Sequence, residues 1–173
     1  MKNIVLIGFM GTGKTVVGRI LACQLGLDFV DTDEEIEKVT GKTVSEIFNR
    51  YGATRFRSEE ALVIKKLSSG KGLVIATGGG AVLNPESVQA LKENGVLVLL
   101  RSTPEMIYSR VKSGRNRPLL AKGENMLQLI KDLMAEREEA YAGAADLEVP
   151  SGDESKEEVA SRIINMLRER NYS

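Results

Sequence analysis

Near the start of the chain, Gly8-Phe9-Met10-Gly11-Thr12-Gly13-Lys14-Thr15 fits the pattern G-x-x-x-x-G-K-[ST], a phosphate-binding loop. The loop works only between a strand and a helix, and both neighbours read correctly. Ile4-Val5-Leu6-Ile7 is an apolar, β-branched run of the kind found in buried strands. Val16, Val17, Ile20, Leu21 and Leu25 recur at helical spacing after it. Glycines so placed let backbone N–H groups turn inward around an anion, while the helix amino end adds a partial positive charge. Lys14 is then set to reach the β- and γ-phosphates, and Thr15 to offer its hydroxyl to magnesium. The alternative, a glycine-rich turn without a ligand, does not explain the strand before it and the helix after it.

Composition narrows the partners. The 173 residues suit one domain, 1–173, with a sizeable core. Lysine and arginine total 24, as do aspartate and glutamate, so the general charge footprint of a nucleic-acid binder is missing. The single cysteine, Cys23, permits no intramolecular disulfide and suits a reducing compartment. It falls in the first helix and reads as a small core residue rather than a nucleophile. No apolar run approaches ~20 residues, and Met1-Lys2-Asn3 leads straight into a strand. A soluble cytoplasmic protein without membrane contact is expected. There is no histidine, so proton handling falls to carboxylates, lysines or the substrate.

Along the chain, Gly26 is placed to end the first helix, and Leu27-Asp28-Phe29-Val30-Asp31 reads as a second strand. It runs into Asp31-Thr32-Asp33 and the acidic start of a new helix. Carboxylates at i and i+2 at a strand's end suit metal and substrate work. Equally, Asp31 or Thr32 serves as a helix cap, and the segment alone leaves both open. Thr43-Val44-Ser45-Glu46 is a capping box opening a helix with Ile47 and Phe48 on its inner face. Beyond Gly52 a further helix carries Phe56, Arg57, Glu60, Leu62, Ile64 and Leu67. Arg57 and Glu60 share a face and can pair. Such a pair is ordinarily a solvated surface contact worth little, and nothing local sets Arg57 apart from Arg55.

Leu73-Val74-Ile75-Ala76 is a third buried-type strand, ending in Thr77-Gly78-Gly79-Gly80. Three consecutive glycines cost conformational entropy and suggest a backbone that a ligand approaches closely. Asn84-Pro85-Glu86 caps a helix that ends at Asn94-Gly95. Val96-Leu97-Val98-Leu99-Leu100 is the fourth strand, and Thr103-Pro104-Glu105 starts a helix bearing Ile107, Arg110 and Val111. Residues 112–124 change character, with Lys112, Arg115, Arg117 and Lys122 among glycines and Pro118. A basic loop of this length inside a compact domain is usually functional, often a lid. In a phosphate-binding chain a lid is the expectation over incidental surface charge. A long helix follows, with Leu127, Ile130, Leu133 and Met134 apolar and Arg137 beyond them. Asp146-Leu147-Glu148-Val149 reads as a short strand near an edge. Ser155-Lys156-Glu157-Glu158 is a second capping box, before an amphipathic terminal helix.

Strands alternating with helices imply an α/β domain, a parallel sheet covered on both faces. Ligands then bind beyond the carboxyl ends of the strands. The phosphate loop, Asp31-Thr32-Asp33 and the triple glycine all fall there, which favours a functional role for Asp31 and Asp33.

Taken in order, the phosphate loop, Asp31-Thr32-Asp33, Phe56-Arg57 with Glu60, Gly78-Gly79-Gly80, Arg117-Pro118-Leu119-Leu120 and Arg137 with Tyr141 resemble shikimate kinases across essentially the whole chain. The resemblance implies the three-layer P-loop fold of the nucleoside-monophosphate kinase group, with a five-stranded parallel sheet in the order 2-3-1-4-5. It implies a mobile lid at about 112–124 and a substrate-binding helical region at about 33–62. The implied reaction moves the γ-phosphoryl of ATP to the 3-hydroxyl of shikimate with Mg2+, giving shikimate 3-phosphate and ADP on the route to chorismate and the aromatic amino acids. A monomer is expected.

By position, the resemblance gathers Gly11, Thr12, Gly13, Lys14, Thr15 and Val16 around the ATP phosphates. Arg110 and Ser151, within Pro150-Ser151-Gly152-Asp153, fall on the adenine side. Arg57 and Arg137 correspond to a clamp on the substrate carboxylate, which suits guanidinium forks. Asp33 and the Gly78-Gly79-Gly80 backbone would hold ring hydroxyls. Asp33 would also position the attacking hydroxyl, and Arg117 would swing from the lid onto the transferring phosphate. Thr15 and, through water, Asp31 would hold magnesium. The family commonly carries Gly-Glu where this chain has Gly52-Ala53. An acidic partner one turn before Arg57 is therefore absent, with an effect expected on stability rather than chemistry.

Two other readings compete. Another small-molecule kinase of this fold, such as a gluconate kinase, is disfavoured by the two-arginine clamp and the triple glycine. A nucleotide-responsive binding module without catalysis is disfavoured because Lys14, Thr15, Asp33, Arg57, Arg117 and Arg137 are all present.

Overall fold

Residues 1–112 and 125–172 are described by the structure, a computed structural model. Five strands, β1 Asn3–Ile7, β2 Asp28–Asp31, β3 Leu73–Ala76, β4 Gly95–Arg101 and β5 Leu147–Pro150, form one parallel sheet. Their order is β2-β3-β1-β4-β5, as the resemblance implies, with β5 at an edge. Among the described residues, seven α-helices connect and cover them: α1 Lys14–Leu25, α2 Thr32–Thr40, α3 Val44–Ser68, α4 Pro85–Asn94, α5 Pro104–Lys112, α6 Met126–Ala144 and α7 Lys156–Glu169.

Strand alternation sorts the core into two layers. Ile4, Leu6, Val98 and Leu100 pack with Val17 and Leu21 of α1 and with Val159 and Ile163 of α7. Val5, Ile7, Leu97 and Leu99 pack on the other face with Ile64, Leu91, Ile107 and Ile130. Burial on both faces is why the strands read as unbroken apolar runs rather than alternating ones. Each such Ile or Leu contributes about 1.5–3 kcal/mol when fully removed from water. A separate, smaller cluster of Ile36, Ile47, Phe56 and Val63 ties α2 to α3.

The expected helix ends form. Thr43 and Glu46 exchange capping hydrogen bonds, as do Ser155 and Glu158. Asn84 accepts from the N–H groups of Glu86 and Ser87, and Gly26 closes α1 in the left-handed conformation. Within α3, Gly52 leaves the helical region (φ 84°, ψ 172°), so two helical segments meet there at a kink. Cys23 departs from expectation. The inward stripe of α1 is Val17, Gly18, Leu21 and Ala22, and one further residue turns ~100° away, leaving Cys23 exposed. Among the described residues, no helix is long and apolar enough to cross a membrane. Strand register aligns Asp31 with Ala76 and Ile7 with Leu99, so the loops that follow β1, β2 and β3 open on one side.

Candidate active site

The loop after β1 closes on itself before meeting α1. Gly13 caps α1 with φ 95°, a left-handed value that a side chain would strain. Lys14 Nζ donates to the carbonyls of Gly8 (2.6 Å) and Phe9 (2.9 Å), holding its ammonium within the loop. Thr12 Oγ1 donates to the Phe9 carbonyl at 2.8 Å. The two adenine-side candidates come up against this loop. Arg110 donates to the carbonyls of Gly11 (3.0 Å) and Gly152 (2.6 Å), and the buried Ser151 hydroxyl donates to the Thr12 carbonyl at 2.7 Å. Val16 lies exposed on the wall of the same cleft.

Asp31 does both things its position allowed. One carboxylate oxygen accepts from the N–H groups of Asp33 (2.9 Å) and Glu34 (3.4 Å), capping α2. The other accepts from the Thr15 hydroxyl at 2.8 Å. Thr15 and Asp31 form a hard oxygen pair beside the phosphate loop, and no group of three or more acidic, histidine or cysteine residues suited to a metal exists among the described residues. That donor set fits magnesium, which prefers few protein ligands and completes its shell with phosphates and water.

The triple glycine is pinned from three sides. Thr77 N–H and hydroxyl both donate to the Leu6 carbonyl (3.1 and 3.0 Å), Gly78 N–H donates to Thr32 Oγ1 (3.1 Å), and the Tyr141 hydroxyl donates to the Gly79 carbonyl. Side chains of the site itself lie on these glycines. A Cβ at Gly78 would stand 2.8 Å from Glu60 Oε2 and 3.1 Å from Asp33 Oδ1, and one at Gly80 only 2.1 Å from Arg57 Nη2. At Gly79 the nearest Arg137 nitrogen would be 3.5 Å away.

The Arg57–Glu60 pair is not the solvated surface contact that sequence spacing suggests. The two meet at 2.7 Å with the Glu60 side chain only 3% exposed, whereas Arg55 pairs with Glu59 from a side chain 62% exposed. Phe56, Glu60, Val63, Ile64 and Leu67 form one inward stripe of α3, and the carboxylate rides inside it. Glu60 therefore supplies Arg57 with an acidic partner despite the exposed Ala53. Arg137, 6% exposed, stands over the Phe9 ring at 5.6 Å, a favourable cation–π placement. Phe48 and Phe56 stack with ring centres 4.5 Å apart and line the cleft.

Among the described residues, three buried side-chain polar atoms have no hydrogen-bond partner: Asp33 Oδ1, Glu60 Oε2 and Arg137 Nη1. Each unsatisfied buried group costs about 1–3 kcal/mol, and all three flank Gly78 and Gly79. They border a cleft of about 760 Å³ shared with Lys14, Thr15 and Arg57, within the size range of small-molecule sites. Burial, then the charges of Asp31 and Glu60, lift the Asp33 carboxyl from the usual 3.8 to about 6, against the pull of Lys14 and Arg57. Burial also raises Glu60, opposed by Arg57 and Arg137. The cleft pairs a cationic phosphate loop with a pocket offering guanidinium groups, a carboxylate of raised pKa and exposed backbone, as a polyhydroxylated acid requires.

The model of the family described as shikimate kinase matches residues 10–168, and the chain is 58% identical to the shikimate kinase of Pelotomaculum thermopropionicum over 99% of both chains. The chain belongs to the shikimate kinase family. The shikimate kinase of Desulforudis audaxviator is 49% identical over 99% of this chain and 89% of that one. Among solved structures, the shikimate kinase from Acinetobacter baumannii in complex with shikimate matches with a TM-score of 0.95 at 38% identity, covering 100% of this chain and 96% of that one. A sugar kinase from Janibacter, 14% identical with a TM-score of 0.62, shares the fold.

Arg117 lies outside the described residues, as does the expected lid at about 112–124 except for Lys112. The other expected site residues of this family member gather along the one cleft and its phosphate-loop rim. Glu60, Thr32 and Phe9 were not singled out as site residues by sequence reasoning. Glu60 carried a readable signal, a charge at an inward position of an otherwise apolar stripe.

Proposed function

We propose that this member of the shikimate kinase family transfers the γ-phosphoryl of ATP to the 3-hydroxyl of shikimate, acting as a monomeric cytoplasmic enzyme of one domain, 1–173, with residues 33–62 holding the acceptor. The observation that carries the reading is the convergence of Asp33 Oδ1, Glu60 Oε2 and Arg137 Nη1, all buried without partners, beside the Lys14–Thr15 phosphate loop.

Arg57 and Arg137 grip the acceptor carboxylate through guanidinium forks. Glu60 holds the Arg57 fork in place at 2.7 Å, and Phe9 backs Arg137. The Gly79 and Gly80 backbone and Asp33 take the ring hydroxyls. Lys14 leaves the Gly8 and Phe9 carbonyls to meet the β- and γ-phosphate oxygens, while the loop N–H groups and the α1 amino end hold the β-phosphate. Thr15 and, through water, Asp31 would hold magnesium, which would supply neutralisation of the phosphate charge. Asp33 aims the hydroxyl in line, and because the transition state is loose it takes the proton late. With a pKa of about 6, Asp33 is mostly ionised at neutral pH and ready to accept. Arg117, on the proposed lid, adds a cation to the transferring group and excludes water.

A gluconate-kinase reading makes less use of the buried Arg137, the half-buried Arg57 and the three glycines beneath them. A coupled ADP-release assay across shikimate, gluconate, quinate and nucleoside monophosphates separates them. Shikimate should exceed gluconate and the nucleoside monophosphates by at least ~10³ in kcat/KM, short of the ~10⁴–10⁵ reached when every buried polar group is left unpaired. Comparable rates with gluconate would overturn the assignment.

A further inference from the structure

At the far rim of the phosphate loop, Lys156 opens α7 with its ammonium laid against Gly13. A Cβ at Gly13 would stand 3.1 Å from Lys156 Nζ and 3.1 Å from Lys156 Cε. The ammonium makes one hydrogen bond, to the Ser151 hydroxyl at 3.2 Å, and no ion pair among the described residues. The nearest acidic candidate is occupied elsewhere: Glu154 accepts from Gly152 N–H at 2.9 Å and pairs with Arg162 at 3.0 Å. Arg110 reaches the same Ser151-Gly152 turn, so two cations share a turn where the Glu154 carboxylate is already engaged. Burial and then Arg110 lower the Lys156 pKa, and Glu154 opposes them only in part. A half-buried lysine held near a second cation, with spare donors, over an anion-binding loop is unfavourable until an anion arrives.

We propose that Lys156 is a nucleotide-binding residue, whose ammonium takes a phosphate oxygen on the nucleoside side of the ATP and ADP phosphate chain. Lys14 serves the transferring end and Lys156 the opposite one, so Lys156 governs affinity for both nucleotides more than the rate of transfer. The proposal rests on the ATP-dependent reading above and extends it to a residue outside the loop motif.

The test measures binding of ADP and of inorganic pyrophosphate by titration calorimetry for wild type, Lys156→Met and Lys156→Arg, with shikimate kinetics alongside. Wild-type protein that fails to phosphorylate shikimate refutes the parent reading, whatever Lys156 does. With that activity present, Lys156→Met is expected to weaken ADP and pyrophosphate about tenfold. KM for ATP should rise in parallel, kcat should fall less than KM rises, and shikimate KM should hold. Lys156→Arg is expected to recover most of the loss and to restore its salt dependence. Unchanged ADP affinity in Lys156→Met overturns the proposal. So does loss of ADP affinity with pyrophosphate unaffected, which places the contact on the nucleoside. A parallel fall in shikimate affinity also overturns it, since that marks a structural role.

Discussion

Gly80→Ala isolates the claim that the triple glycine exists to seat Arg57. Gly80 has φ −103° and ψ 5°, a conformation open to alanine, so the backbone itself is not strained. The added methyl would lie 2.1 Å from Arg57 Nη2, 2.5 Å from Cζ and 2.6 Å from Nη1. Ordinary contact begins near ~3.5 Å, so the guanidinium must retreat by more than ~1 Å. Its long side chain lets it move at little torsional cost. What it leaves is the 2.7 Å bond to Glu60 and its aim at the acceptor. Misplacement of ~1 Å can cost ~10²-fold, or about 2.7 kcal/mol. Breaking a buried pair outright costs about 3–5 kcal/mol. Arg57's side chain is 29% exposed and still lies nearby, so about 1–2 kcal/mol is expected, a Tm decrease of roughly 2–8 °C. Steady-state kinetics should show kcat/KM for shikimate down by ~10² and KM for ATP within about threefold. Gly79→Ala, whose Cβ would meet Met10 N at 3.4 Å, Arg137 at 3.5 Å and the Gly8 carbonyl at 3.8 Å, all ordinary contacts, should be milder by ~10-fold or more. Shikimate kinetics within about twofold of wild type in Gly80→Ala would refute the seating argument.

Asp33→Asn should lower kcat by at least ~10² with ATP affinity nearly unchanged, and the acid limb of kcat/KM for shikimate that an Asp33 pKa of about 6 should set in wild type should disappear. Because the folded pKa of Asp33 is raised, the stability its proton contributes is full below about pH 4 and lost as pH passes about 6. The apo asparagine variant should therefore melt above wild type at pH 8, the gap closing towards pH 4, and equal melting at pH 8 would count against a buried, crowded carboxylate. Lys14→Ala should lose ~10²–10³ in kcat, since charge on the transferring oxygens goes unmet, and turnover within about threefold of wild type would remove Lys14 from the mechanism. Arg117→Ala should lower kcat far more than binding of either substrate, and protease cleavage within 112–124 should slow when both ligands bind; equal cleavage rates in the two states would count against a lid.

What sequence could and could not convey follows from range. The sheet was readable because buried parallel strands are contiguous apolar runs, and the helix starts because Thr43-Glu46 and Ser155-Glu158 are local boxes. The phosphate loop is likewise one stretch of chain. Arg57 and Glu60 were visible as a pair, yet their burial was not, because it depends on Gly78 and Gly80 arriving from β3. The double duty of Asp31 needed Thr15 from a separate element to settle on its second oxygen. Cys23 misled because helix membership says nothing of face until the inward stripe is known. Lys156 was legible only as a position inside the Ser155-Glu158 capping box, and only the fold brings α7 against Gly13.

The most direct test of the acceptor site pairs a change in the protein with a change in the substrate. Measure kcat/KM for shikimate and for its methyl ester, which lacks the carboxylate charge, in wild type, Arg57→Ala, Arg137→Ala and the double variant. Wild type should prefer the acid by ~10² or more, two charge-assisted contacts being at stake. Each single variant should shrink that preference, and the double variant should treat acid and ester alike within about threefold. An acid-to-ester ratio that stays at the wild-type value in the double variant would contradict the clamp and place the carboxylate elsewhere in the cleft.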